Sequence, residues 1–194
     1  LARLASTSSG SGPAPHPAPT HAPPTQVQPT QPAPSPTVPA ATATPTAAGH
    51  PVLVYFSKRP DSLNDPSAVF PVQRTAPTLA VATYAIGQLI AGPTPSEAAA
   101  GYFTELSAAL SGPSDCGGAD FTITLDRRGA TPQTGTATLR FCRALSLPGE
   151  LTDARISAEI TRTLTQFSNI TAVVILTRDG HCFGDLSGAD RCLQ

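Results

Sequence analysis

Two cysteines, a histidine and two aspartates crowd into GHCFGDLSGADRC, residues 180–192, and two further cysteines stand at 116 and 142. Four cysteines can hold a metal, run redox chemistry or close two disulfides in one of three pairings. Structural zinc favours C-x2-4-C or H-x3-5-H steps, whereas the closest cysteines here, Cys182 and Cys192, are ten positions apart. His181 next to Cys182 would point to the opposite face of a strand, and no C-x-x-C redox motif occurs. Calcium held by Asp179, Asp185 and Asp190 lacks the EF-hand spacing and its closing glutamate. Disulfides fit best. Cys142 ends a strand whose hairpin partner starts near Phe121, so it meets the flexible Cys116-Gly117-Gly118 segment, and Cys116 is paired with Cys142. Cys182 then pairs with Cys192 across the turn-forming GDLSGAD. Staples of this kind imply an oxidising, extracytoplasmic compartment.

Catalytic chemistry finds little support. His181 is the one histidine well inside the folded region, and Asp179 is two residues away. The serines form no nucleophile elbow, and DLSGAD lacks the G-x-S-x-G pattern. Glu97, Glu105, Glu150 and Glu159 are scattered over helices and a loop, where solvation accounts for them. GPSDCGGAD is glycine-rich but follows a helix and precedes a strand, the reverse of a phosphate cradle. The sequence therefore assigns no catalytic residue, no metal ligand and no cofactor, and reads as a non-enzyme.

With 12 basic and 13 acidic residues and no basic block, the chain lacks the electrostatic footprint of a nucleic-acid binder. Lys58-Arg59 and Arg127-Arg128 are too short to supply one. No apolar run approaches the roughly 18 residues of a membrane span. Residues 1–50 lack Phe, Tyr, Trp, Asp, Glu and Lys and carry one Arg, at position 3. Such a Pro-, Ala- and Thr-rich stretch cannot offset its ordering entropy and is expected to be a disordered, polyproline-like linker, with His16, His21 and His50 as solvated residues. The chain opens at Leu1 and contains no Met, which fits removal of a signal peptide, with or without a lipidated cysteine. Membrane attachment is thus expected only through an N-terminal anchor missing from this sequence.

Residues 51–194 must position everything else. HPVLVYFSK reads as a central strand buried on both faces, and AVFPVQRT as a short edge strand because of Pro71. Pro77 and Gly92-Pro93 bracket a helix of about four turns carrying Leu79, Ala82, Ile86, Leu89 and Ile90. A second helical piece, SEAAAGYFTELSAAL, is interrupted by Gly101. FTITLD and TATLRF alternate and form an antiparallel hairpin with RRGATPQTG as a long turn. TDARISAEITRTLTQF places Ile156, Ile160, Leu164 and Phe167 on one stripe and Arg155, Glu159, Arg162 and Gln166 on the other side. ITAVVILTRDG is a last apolar strand, expected beside the first. The expected fold is α+β, a two-layer sandwich of a mixed, mostly antiparallel sheet with helices packed on one face.

These pieces, VLVYF, FPVQRT with Arg74, a helix running into LIAGPT, GYFTEL, and TLTQFSNITAVVILTRDG, resemble the GerMN domain of sporulation and spore-germination lipoproteins and other bacterial envelope proteins. The resemblance spans about residues 52–180. It implies a non-catalytic envelope domain acting through protein contacts, in some members within larger assemblies akin to the ring-building modules of secretion machines, so homo-oligomer formation is a further expectation. The four cysteines, the RRGATPQTG turn and the segment beyond Gly180 depart from the general pattern. Arg74 is the suggested contact position. The expected partner is an envelope protein or peptidoglycan. The competing readings are a small envelope hydrolase using His181, or a small-ligand binder.

Overall fold

The computed structural model describes residues 49–146 and 149–194. Up to residue 48, the expected linker lies outside them; its last residue, His50, does not belong to a linker but opens the first strand, opposite Ala76. The fold is α+β. In chain order the elements are β1 (His50–Lys58), α1 (Asp61–Asn64), β2 (Val69–Ala76), α2 (Val81–Ala91), α3 (Pro95–Ala99), β3 (Tyr102–Phe103) and α4 (Leu106–Ala109). There follow β4 (Leu110–Ser111), β5 (Phe121–Arg128), β6 (Thr131–Phe141), β7 (Ala144–Leu145), α5 (Glu150–Leu164), β8 (Ala172–Leu176) and a 3-10 turn at Arg191–Leu193.

The strands make three sheets, ordered β2-β1-β3, β4-β7 and β5-β6-β8, in which only the β6–β8 pairing is parallel. Val52, Val54 and Phe56 on β1 point into the core, where α2 contributes Ala85, Ile86 and Leu89 and α5 contributes Ile156, Ile160 and Leu164. Leu139 and Phe141 of β6 enter the same core, so one continuous apolar interior joins the sheets through the two long helices.

Several local expectations change. β1 is not buried on both faces: Leu53 and Tyr55 alternate with its core residues and are only half-buried. β2 is an edge strand, as Pro71 demands, but runs eight residues rather than a short few. α2 starts at Val81 and has three turns, not four, because residues 77–80 are not helical and Leu79 is 82 % exposed. Its end is set by Gly92, whose φ of +84° lies in the region open mainly to glycine. The second helical piece is two short helices separated by β3, with Gly101 at φ +95° making the break. RRGATPQTG is not a long turn. Only Gly129 and Ala130 connect β5 to β6, and a bulge on β6 absorbs three extra residues, since Asp126 alone, at φ +55°, stands opposite residues 133–136 between the pairs Leu125–Ala137 and Arg127–Pro132. The Asp126 carboxylate accepts from Gly135 N–H at 2.8 Å and fixes that bulge. Finally, β8 lies beside β6, with Thr136 opposite Ala172 and Arg140 opposite Leu176, not beside β1. The helical crossover through α5 explains this, since parallel neighbours need such a long connection.

Candidate functional site

The C-terminal segment turns back on β8 immediately after Leu176. Thr177 N–H donates to the His181 carbonyl at 2.8 Å and Phe183 N–H to that of Ile175 at 2.9 Å, which brings Cys182 beside Leu176. The Cys182–Cys192 disulfide closes the segment with a Cα separation of 5.9 Å. Inside it Asp190, at φ +47°, accepts from Cys182 N–H at 2.8 Å with one oxygen and meets His181 Nδ1 at 2.9 Å with the other. Asp190 raises the His181 pKa by hydrogen bonding and by charge. The Cys182 N–H, followed by His181, lowers that of Asp190.

His181 therefore has Asp190, not Asp179, as its acid, and its side chain is 68 % exposed. Asp179 faces Arg178 at 3.7 Å. Asp185 accepts from Ser187, through N–H at 2.9 Å and through the hydroxyl at 2.5 Å, so the nearby serine hydroxyl is bound to Asp185. The sulfur of Cys182 lies close to Asp185 and Asp190, but it is engaged in the disulfide. A shallow cavity of about 480 Å³ borders this segment, lined in part by Asp153, Asp179, His181 and Asp185.

The other pair, Cys116–Cys142, spans 5.6 Å between Cα atoms at the base of the β5–β6 hairpin. Asp115 N–H donates to the Cys142 carbonyl at 2.9 Å, and Cys142 N–H to that of Asp120 at 2.8 Å. Arg140 and Arg143 hold Asp115 and Asp120 at 2.6 and 3.2 Å, so the disulfide sits in a frame of backbone bonds and ion pairs.

Arg74 leaves β2 to bind Glu97 with two parallel bonds of 2.8 and 2.6 Å. Glu97 also closes the N-terminal capping box of α3, accepting from Thr94 N–H at 2.8 Å. The guanidinium holds the Glu97 pKa down at about 2 and also stacks 5.9 Å from the Phe56 ring. Its side chain is 13 % exposed, which makes it a clamp between β2 and α3.

The polar side of α5 is where the residues depart furthest from expectation. Arg155, Glu159 and Thr163 are buried, not solvated. Glu105, also expected in solvent, binds Arg155 through bonds of 2.9 and 2.8 Å. Glu159, 1 % exposed, accepts from Ser57 N–H at 2.9 Å and from the Thr104 hydroxyl at 2.7 Å. Desolvation drives its pKa up to about 7 despite those bonds. The spacing of Glu159, Thr163 and Gln166, directly flanking the apolar stripe, is the sequence signal that could have marked this side as buried.

One surface feature carries no charge. Between the start of α2 and β5 lies a groove of about 270 Å³ lined mainly by Leu79, Val81, Ile123, Leu125, Phe167 and Ile170, with Thr83 and Asn169 as its polar side chains and no charged residue. Leu79 and Leu125 stand at its lips, 82 and 45 % exposed. β5 is an edge strand of its sheet.

A family model named Germane and described as sporulation and spore germination matches residues 53–181, more than half of the 194-residue chain. A solved structure, the tandem GerMN domains of the sporulation protein GerM from Bacillus subtilis, is similar with a TM-score of 0.44 and 19 % identity over 72 % of this chain. The match covers 43 % of that structure's chain. None of the curated proteins compared matches this sequence.

Proposed function

The chain belongs to the Germane family of sporulation and spore-germination domains, the GerMN type, and from that premise we propose a non-catalytic interaction domain of an exported or membrane-tethered bacterial envelope protein. It binds a partner protein through the apolar groove between α2 and β5. The family description names a process and no reaction, and His181, the residue an enzymatic reading needs, is bound to Asp190 with no serine hydroxyl on it among the described residues. The two disulfides favour an oxidising compartment.

The observation that carries the reading is the groove itself. Exposed leucines on both lips and an uncharged lining whose polar side chains are Thr83 and Asn169 suit apolar side chains of a protein segment, whereas the charged peptides of peptidoglycan would find no opposite charge there. The expected linker over residues 1–50 is the tether in this proposal.

A photo-crosslinking residue placed at Leu125 in cells is expected to trap one partner protein, and the same probe at Leu151, exposed on α5, is expected to trap none. Leu79→Asp, with folding unchanged, removes both the adduct and the envelope phenotype. Absence of adduct at Leu125, or co-sedimentation with purified peptidoglycan that Leu79→Asp leaves intact, overturns the protein-partner reading. Loss of function in His181→Ala with an unaltered fold supports the hydrolase instead.

A further inference from the structure

The backbone donors along a strand edge need partners, and on one side β1 finds most of them without a strand. β3 covers only Ser57 and Lys58 on that side. Along the rest of the edge, α5 and the turn that follows it stand in for the missing neighbour. Leu53, Tyr55 and Ser57 donate their N–H groups in turn to Gln166 Oε1 at 2.7 Å, Thr163 Oγ1 at 3.0 Å and Glu159 Oε1 at 2.9 Å. Gln166 also donates through Nε2 to the Leu53 carbonyl at 2.6 Å, so a single side-chain amide reproduces both bonds of a strand pair.

A helix can do this only over a short length. N–H groups on one strand edge recur every roughly 6.7 Å, so three of them span about 13.4 Å. From Glu159 to its end at Leu164 α5 rises only about 7.5 Å, and Gln166 stands in the turn two residues beyond. The side chains make up the difference: a short threonine stands in the middle, and a long glutamate and a long glutamine reach outward at the two ends. The order long, short, long is what the geometric mismatch requires.

Of the three, only Glu159 can ionise. Its second oxygen receives the Thr104 hydroxyl, which itself accepts from Leu106 N–H at 3.2 Å, so the carboxyl ties β1 and α5 to the start of α4. The Ser57 hydroxyl is buried beside it and can accept from a protonated carboxyl or donate to an ionised one, so it favours neither state by itself. The charged groups around it offer little to an anion. Arg155, one turn back on α5, is held by both oxygens of Glu105, and Glu105 is itself an acid that opposes ionisation. On β1, the Lys58 ammonium lies 4.7 Å over the Tyr102 ring. Of the other elements packed on α5, α2 brings Tyr84, β2 brings Arg74, which Glu97 binds, and β8 brings no titratable side chain.

We propose that α5 is a pH-sensitive strap on the free edge of β1: it lies closed along Leu53, Tyr55 and Ser57 most firmly with Glu159 protonated, and the cost of keeping the ionised carboxylate out of water raises the population in which Ser57 and the start of α4 are released. The sign follows from burial. An acid whose pKa is raised to about 7 from 4.5 by folding stabilises the closed form fully below the lower value, and that contribution is lost as pH rises through the upper one. Between pH 6 and pH 8 the opening constant of this edge rises about tenfold.

Amide hydrogen exchange on the intact chain, corrected for the intrinsic effect of pH, tests this without any partner and so independently of the groove. Ser57, Tyr55 and Leu106 are expected to lose about tenfold in protection from pH 6 to pH 8, with Leu139 in β6 unchanged, and Glu159→Gln is expected to hold the same amides flat. Equal changes in both proteins overturn the proposal. Should Glu159→Gln not fold, a carbon-13 titration of the wild-type carboxyl decides alone: an ordinary carboxylate pKa for Glu159 refutes the strap, and one near neutrality supports it.

Discussion

The clamp between β2 and α3 predicts how stability responds to acid. Arg74 and Glu97 share two short bonds, and their side chains are only 13 and 20 % exposed. A carboxyl held at about 2 rather than 4.5 represents at most roughly 3.4 kcal/mol of preference for the folded state. Residual solvent around both partners screens part of that, so about 1–2 kcal/mol is the working figure. Glu97→Gln isolates the charge, because the amide oxygen can still accept from Thr94 N–H and keep the capping box. At pH 7 the variant is expected to lose about 1–2 kcal/mol in urea unfolding, or roughly 2–8 °C in Tm. Glu97 has a depressed pKa, so its contribution is present above about 4.5 and disappears as pH falls towards 2. Wild type and variant should therefore converge over that window. A stability gap that stays constant from pH 7 to pH 2.5 would refute the electrostatic account, and a variant as stable as wild type at pH 7 would show the clamp to be ornamental.

Thr163→Val keeps shape but leaves the Tyr55 N–H without its acceptor, and is expected to cost about 1–3 kcal/mol by chemical denaturation. Replacing Cys182 and Cys192 together by Ser opens a loop with a sequence separation of 10; a chain-entropy estimate gives a loss of about 3 kcal/mol, and faster exchange should be confined to the segment after β8. Asp126→Val forces a β-branched residue into φ +55° and removes the bond to Gly135, and should lower stability by about 1–3 kcal/mol, whereas Asp126→Gly keeps the bulge and loses only the bond, so its urea midpoint should lie between wild type and the valine variant.

Apolar periodicity made the main elements legible. The alternation in β5 and β6 and the stripe of Ile156, Ile160 and Leu164 are side-chain patterns, and each points to the core. What stayed hidden involves the backbone as a partner. Glu159 and Gln166 read as part of a polar side, yet they and Thr163 are polar in order to meet N–H groups of β1, and no side-chain pattern reports where another segment's backbone will lie. β8 was expected next to β1 because both are apolar runs, and apolarity does not name a neighbour. Pro132, Gly129 and Gly135 made the hairpin turn look long, while a bulge on β6 opposite Asp126 let the pairing resume beyond it.

Residues with the types and spacing for chemistry have become scaffolding. Arg74 and Glu97 join β2 to α3, Arg155 and Glu105 join α5 to the approach of α4, and His181 and Asp190 brace a disulfide loop. A charge bound at close range within its own fold is poorly placed to recognise anything else, since a partner would first have to break that pair. Leu79 and Leu125, by contrast, stand free above an uncharged groove, at a strand that has a neighbour on one side only among the described residues. Recognition by such a surface rests on shape and on removal of apolar area from water, roughly 25 cal/mol per Å². It should therefore persist in high salt and fail when one leucine becomes an aspartate, the opposite of what a charge-led contact would show.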